Sequence, residues 1–147
     1  MSHDALRQVG AGDGYVPPQD ELTAPWWDGT RERRLLLQRC GACGEAQHHP
    51  RHLCLSCGAT DALGWVESDG TGTVDTFTVV HRAPRPGLEA PYVVARVRLE
   101  DGPVLLAWIV GEQGSLPDPR IGDTVSLDWA PLDDGRALPV FRLGEAR

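Results

Sequence analysis

Beyond residue 58 the chain alternates apolar and polar side chains with a period of two. Residues 70–80 (GTGTVDTFTVV) carry Val74, Thr76, Thr78 and Val80 at alternate positions. Residues 92–99 (YVVARVRL) set Val93, Ala95, Val97 and Leu99 on one face against Arg96 and Arg98 on the other. Such alternation predicts half-buried strands. Residues 104–110 (VLLAWIV) are apolar almost throughout and predict a central strand covered on both faces. Residues 124–129 (TVSLDW) and 138–143 (LPVFRL) complete a set of five. Asp101-Gly102 would turn the second strand into the third, and Asp133-Asp134-Gly135 the fourth into the fifth. No segment in this part repeats at the helical period. Five short strands with tight turns predict a mainly β protein whose residues 63–147 form a small Greek-key barrel of the OB type.

The first 62 residues read differently. Residues 1–20 hold Gly12, Gly14, Pro17 and Pro18 with few large apolar groups, and read as a flexible arm. Thr23 is placed to cap a short helix whose first turn holds Pro25, where a missing N–H costs little. Trp26 and Trp27 follow, and then Leu35-Leu36-Leu37-Gln38-Arg39 reads as a strand entering the first pair of cysteines.

Those cysteines carry the most specific chemistry. The four fall into two pairs, Cys40-Gly-Ala-Cys43 and Cys54-Leu-Ser-Cys57, ten residues apart, and Gly44 or Gly58 follows each pair. A tight knuckle lets both thiolates of a pair face one ion, and four thiolates at about 2.3 Å close a tetrahedral shell with no open position. Cys40, Cys43, Cys54 and Cys57 are therefore predicted to hold a structural zinc in a rubredoxin-like ribbon over residues 21–62, with iron in the same shell or a redox dithiol as lesser readings. A thioredoxin-like site needs one pair beside a βαβ pattern, which is absent. A metal also lets so short a segment fold, because it cannot build a sufficient core alone. His48, His49 and His52 lie between the pairs, and with four thiolates available they read as loop residues.

Charge excludes more than it assigns. The net charge is −7, and residues 59–147 carry 8 arginines against 14 acids, which weighs against the positive groove of a single-stranded nucleic-acid binder. All 14 basic residues are arginine, so no lysine exists to form a Schiff base. Ser56, Ser68, Ser115 and Ser126 lack the context of a nucleophile. The sequence contains no apolar run near the ~20 residues needed to span a bilayer, and thiolate zinc suits a reducing compartment, so the expected location is the cytoplasm.

Several ordered segments resemble the acyl-CoA-associated zinc-ribbon/OB-fold family, long known only as a domain of unknown function: LLLQRC at 35–40, CGE at 43–45, PRHLCLSCG at 50–58, SDGTGTVDTFTVVHRAP at 68–84, APYVVARVRLEDGP at 90–103 and LPVF at 138–141. One departure is His48-His49-Pro50-Arg51, where the family often has aromatic-Pro-Pro-Arg. The resemblance implies a non-catalytic accessory subunit that braces a thiolase-fold or lipid-transfer-protein-like enzyme, a thiolase or a retro-aldol lyase of steroid side-chain breakdown, and shares in its CoA channel. A hot-dog-fold enoyl-CoA hydratase is the alternative partner, and a single-stranded nucleic-acid-binding protein the alternative class.

Two groups of residues are candidates for those contacts. His81, Arg82 and Arg85, in a loop stiffened by Pro84 and Pro86, could grip CoA phosphates through bidentate bonds or meet a partner's carboxylates. Adjacent helical residues face different directions, so one small ribbon would not bury both Trp26 and Trp27. At least one is expected in a subunit interface.

Overall fold

The computed structural model describes residues 15–112 and 115–144. Most of the arm expected over 1–20 lies outside the described residues. Its last part, 15–20, has no regular structure but is anchored, since Arg136 donates to the Pro17 carbonyl at 2.6 Å and to Gln19 Oε1 at 3.5 Å.

Helix α1 spans Ala24–Arg31 with Thr23 at its N-cap and Pro25 in the first turn. The Thr23 hydroxyl caps no helical N–H. It donates to Asp20 Oδ1 at 2.9 Å and accepts from the Asp20 N–H at 3.0 Å, so the pair closes a turn ahead of the helix. At the far end Thr30 is fully buried. Its hydroxyl donates to the Trp27 carbonyl at 2.7 Å and accepts the Ala137 N–H at 3.2 Å.

Strands β1 (Leu35–Cys40), β2 (Ala46–Gln47) and β3 (Leu63–Ser68) form an antiparallel sheet in the order β2-β1-β3. The sequence reading started the barrel at residue 63, yet β3 pairs with β1 along its whole length, from Leu35↔Ser68 to Cys40↔Leu63. The barrel begins at Thr71, after a gap of two residues. Strands β4 (Thr71–Val80), β5 (Tyr92–Leu99), β6 (Val104–Ile109), β7 (Thr124–Pro131) and β8 (Ala137–Leu143) close in the order β4-β5-β6-β8-β7. This is the five-stranded OB architecture expected from the alternation, and its bounds differ from the expected ones by a residue or two.

The barrel core collects the inward face of each strand, including Val74, Val93, Val97, Leu105, Ile109, Val125 and Phe141. A bulge in β4 between Val74 and Thr76 frees Asp75 to meet Arg96 at 3.6 Å and Arg98 at 3.5 Å on the outer wall. These pairs are exposed, and such pairs add little stability.

One expectation is corrected here, and the premise of a second, that Trp26 and Trp27 could not both be buried, is removed. Strand β6 is not covered on both faces: Leu105, Ala107 and Ile109 are buried, but Leu106 is 72% exposed. A closed barrel has one interior, so an apolar run still alternates between inside and outside. Trp26 and Trp27 are both buried, each 8% exposed, and belong to the main core. Helix α1 packs against β1 of the ribbon and β8 of the barrel, so side chains on two faces of the helix each meet a wall. Trp27 lies under the guanidinium of Arg136 at 4.4 Å and meets Trp26 edge-on at 4.7 Å. Arg136 is itself only 3% exposed and is neutralised by Asp134 at 2.5 Å. No helix among the described residues is long and apolar enough to cross a membrane.

Candidate metal centre and adjoining groove

The zinc ligands sit where β1 ends and where the second knuckle turns. The Gly44 N–H donates to the Cys40 carbonyl at 2.8 Å, and the Gly58 N–H to the Cys54 carbonyl at 2.9 Å. Both glycines hold φ near +80°, at +81° and +79°. This left-handed conformation lets the chain leave each knuckle, and a Cβ would strain it. The four sulfurs lie within 4.8 Å of one another, with Cys40 to Cys57 at 3.7 Å and Cys43 to Cys54 at 3.6 Å. Four bonds of about 2.3 Å in a tetrahedron require edges of about 3.8 Å, so the cluster fits a Cys₄ zinc shell. Cys40 and Cys54 are buried and Cys43 and Cys57 exposed, so the ion would bridge the ribbon's interior to its surface. A filled thiolate shell holds structure and leaves no position for a substrate or activated water.

His48, His49 and His52 are not in the cluster. The segment that carries them is held by Gln38, which the sequence reading treated only as a strand residue. Gln38 is 5% exposed, its Nε2 donates to the Arg51 carbonyl at 2.9 Å, and its Oε1 accepts from Arg51 N–H at 2.8 Å and from Gln47 Nε2 at 2.6 Å. A polar residue inside an apolar strand pattern was the available signal, because a buried amide needs partners.

This loop forms one wall of an apolar groove. A cavity of about 450 Å³ opens between His48-His49-Pro50, the tryptophans of α1, and segments 105–108 of β6 and 138–140 of β8. Strands β6 and β8 run parallel as neighbours in the closed barrel, registered at Ile109↔Phe141, and their outer faces form the floor of the groove. His48 faces Trp26 with ring centroids 5.7 Å apart. Burial, aided by repulsion from His49 and Arg51, holds the His48 imidazole down to about 3, so it is neutral in the folded protein.

Protonation of the unfolded chain near 6.5 therefore favours unfolding, and stability falls as pH drops from 6.5 towards 3. At pH 5 the loss is about 2 kcal/mol. His48→Phe is expected to narrow the gap between thermal midpoints at pH 7 and pH 5, relative to the parent with zinc bound in both. An equal gap in the two proteins would show that His48 does not contribute.

His81, Arg82 and Arg85 lie exposed on the loop between β4 and β5, with the Arg85 guanidinium 4.9 Å over the Tyr15 ring. They do not line the groove. The connection between the two runs through Tyr92, which pairs with Val80 at the end of β4 and stacks on Trp108 at 4.1 Å and 4°. Trp108 is a groove residue.

The ribbon, the closed barrel and the four-cysteine cluster define a two-module zinc-ribbon/OB-fold protein. The chain belongs to the DUF35 family of such proteins. Residues 27–62 match the family model described as "ChsH2, rubredoxin-like zinc ribbon domain", and residues 65–130 match "ChsH2, C-terminal OB-fold domain". The chain is 43% identical over 129 residues to a Thermomonospora curvata protein named "Probable enoyl-CoA hydratase alpha subunit", covering 86% of this chain and 39% of that one. It is 33% identical to a "DUF35 domain-containing scaffold protein" of Methanocaldococcus jannaschii, covering 63% of this chain and 67% of that one. Among solved structures it is similar to a chain of the "Ltp2-ChsH2(DUF35) aldolase", with 40% identity, a TM-score of 0.77, and coverage of 87% and 98%. The sequence resemblance to the zinc-ribbon/OB-fold family is thus upheld.

Proposed function

We propose that this chain is a non-catalytic accessory subunit of an acyl-CoA enzyme, and that the partner is a thiolase-fold, lipid-transfer-protein-like subunit. The observation that carries the reading is the pairing of a saturated metal shell with an open groove that no Asp, Glu, Lys or Arg lines. Such a groove can bind apolar surface, and its two imidazoles, His48 and His49, are both held below the ordinary histidine value by burial, which makes them weak bases. The similar solved structure is named for an aldolase that includes Ltp2, and the archaeal relative is named a scaffold protein. The name of the Thermomonospora curvata relative favours a hydratase as the second choice of partner. The excess of acids in the barrel disfavours nucleic acid. The thiolate shell fits the reducing cytoplasm.

Within the complex, His81, Arg82 and Arg85 are assigned to the phosphates of CoA, with Tyr92 and Trp108 leading from that loop to the groove. The test uses the chain mixed with the Ltp2 subunit of the similar aldolase. The mixture should co-elute on size exclusion, and the repurified chain alone should not cleave, condense or hydrate acyl-CoA. Replacing Arg82 and Arg85 together by alanine should raise KM for the CoA thioester at least about tenfold with kcat nearly unchanged, since a lost charge-assisted bond weakens binding by about 1.5–3 kcal/mol. An unchanged KM would reassign the loop to solvent.

A further inference from the structure

We infer that the groove between α1, the His48–Pro50 loop and the barrel wall is a small-molecule site of this chain. Its ligand is an uncharged, apolar molecule that carries a carbonyl oxygen. The site needs no partner subunit, so the accessory reading stands or falls apart from it. Size and lining come first. A cavity of about 450 Å³ lies within the range of about 300–1,000 Å³ for ligand pockets, which are mostly apolar with a few placed polar groups. Its walls are stiff. Pro17, Pro50 and Pro139 have fixed φ, and the Pro17 carbonyl is tied to Arg136 at 2.6 Å. Trp108 is stacked on Tyr92 at 4.1 Å, and Trp26 and Trp27 belong to the core. A pocket formed in advance loses little freedom when a ligand enters.

Charge selects against ions. Among the described residues no Asp, Glu, Lys or Arg lines the groove. His48 and His49 are held below the ordinary histidine value, first of all by burial, so neither supplies a cation near neutral pH. An ionised carboxylate placed here would lose its hydration and meet no counter-charge. An extended peptide fits no better. Strands β6 and β8 are hydrogen-bonded neighbours in the floor, so a peptide's amides would be dried without a strand edge to meet them.

One polar atom of a lining residue points to the ligand's oxygen. Trp26 is 8% exposed, and its indole N–H is buried with no acceptor among the described residues. Buried polar groups are nearly always paired, and a donor left alone carries a cost that an acceptor would remove. Trp27 and His48 stand against the Trp26 ring, with centroids 4.7 Å and 5.7 Å away. The N–H comes within reach of a ligand when the indole or the His48 ring turns, and both rings border the cavity. A carbonyl oxygen accepts that bond without bringing a charge or a further donor. Esters, ketones and thioesters share this chemistry.

Methyl octanoate is the probe, titrated into the zinc-bound chain with its five tryptophans labelled at the indole nitrogen. The Trp26 N–H resonance should move downfield and exchange more slowly as the ester binds. Trp27 and Trp108, which line the groove, should also shift, while Trp65 and Trp129, which do not, stay in place. Octanoate should bind at least about tenfold more weakly at neutral pH, since its charge finds no partner. Trp26→Phe keeps an aromatic ring and deletes the donor, so ester affinity should fall about two- to tenfold. If that variant does not fold, Trp26 is identified by assigning the other four, and its shift in the parent decides the matter. Octanoyl-CoA separates the sources. A Trp26 shift like that given by the ester makes the ligand a thioester, and a response to the ester alone makes it a free neutral lipid; either sustains the site. An unmoved Trp26 resonance at saturating ester, or octanoate bound as tightly as the ester, overturns it. Protection of the Trp26 N–H by the Ltp2 subunit, with no response to ester, also overturns it and leaves the accessory role standing.

Discussion

Cys54→Ser is expected to yield a chain that purifies without zinc and whose residues 35–68 have lost protected structure, while the barrel strands stay folded. The magnitude makes this the largest effect. Structural zinc in small Cys sites supplies about 10–16 kcal/mol of folding free energy, comparable with the whole stability of an ordinary domain. Against that, the apolar side chains β1 and β3 bring to the core are Leu35 and Leu37, buried, and Trp65 and Val66, partly buried. Cys54 is 2% exposed, so serine would leave a poorly ligating hydroxyl in a dry position, and the cluster holds no histidine to substitute for it. Metal analysis together with amide exchange checks the result. A zinc-free Cys54→Ser chain whose β1 amides stay protected would show that the ribbon folds on packing alone, and one zinc per chain would show that three thiolates suffice.

Trp27→Ala should destabilise the folded chain by about 3–5 kcal/mol, as for other buried aromatic truncations, and so act well before any partner is present. The ring closes the contact between α1 and the barrel. It fills core volume, carries the edge of Trp26 and covers the buried guanidinium of Arg136. Its removal leaves a cavity and also strips one wall from a cation that is 3% exposed. Denaturant unfolding of the zinc-bound protein is the appropriate measurement. A variant as stable as the parent, but slow to bind its partner, would give Trp27 the interface role expected from sequence and not a core role.

The five barrel strands were legible because period-two alternation survives in a one-sided wall, and the metal centre because thiolate spacing has few other meanings. What was not legible depended on neighbours distant in sequence. The pattern LGWVES gives no sign that β3 pairs with β1 rather than with the barrel. The run VLLAWIV could not reveal that Leu106 faces outward, since apolar identity alone carries no direction. The adjacent tryptophans pointed to an interface only if one wall was assumed, whereas α1 has two. His81, Arg82 and Arg85 were placed on a loop by their prolines and are found on one, though nothing in the pattern tied that loop to Trp108.

Only Asp69 and Gly70 separate the last ribbon strand from the first barrel strand. Ser68, the last residue of β3, donates to Asp101 and accepts from the Gly70 N–H at 3.1 Å. The second knuckle exposes Leu55 at 66%, and the barrel wall exposes Leu106 at 72%. Two apolar prongs are thus mounted at a fixed separation on one stiff body. Modules tethered by a flexible linker meet their second contact at an effective concentration set by the linker's wandering. With a two-residue hinge locked by a serine, that wandering is already gone, and a partner that touches both prongs loses no tether entropy on the second contact. A partner that touched both would be favoured when its apolar patches matched their spacing.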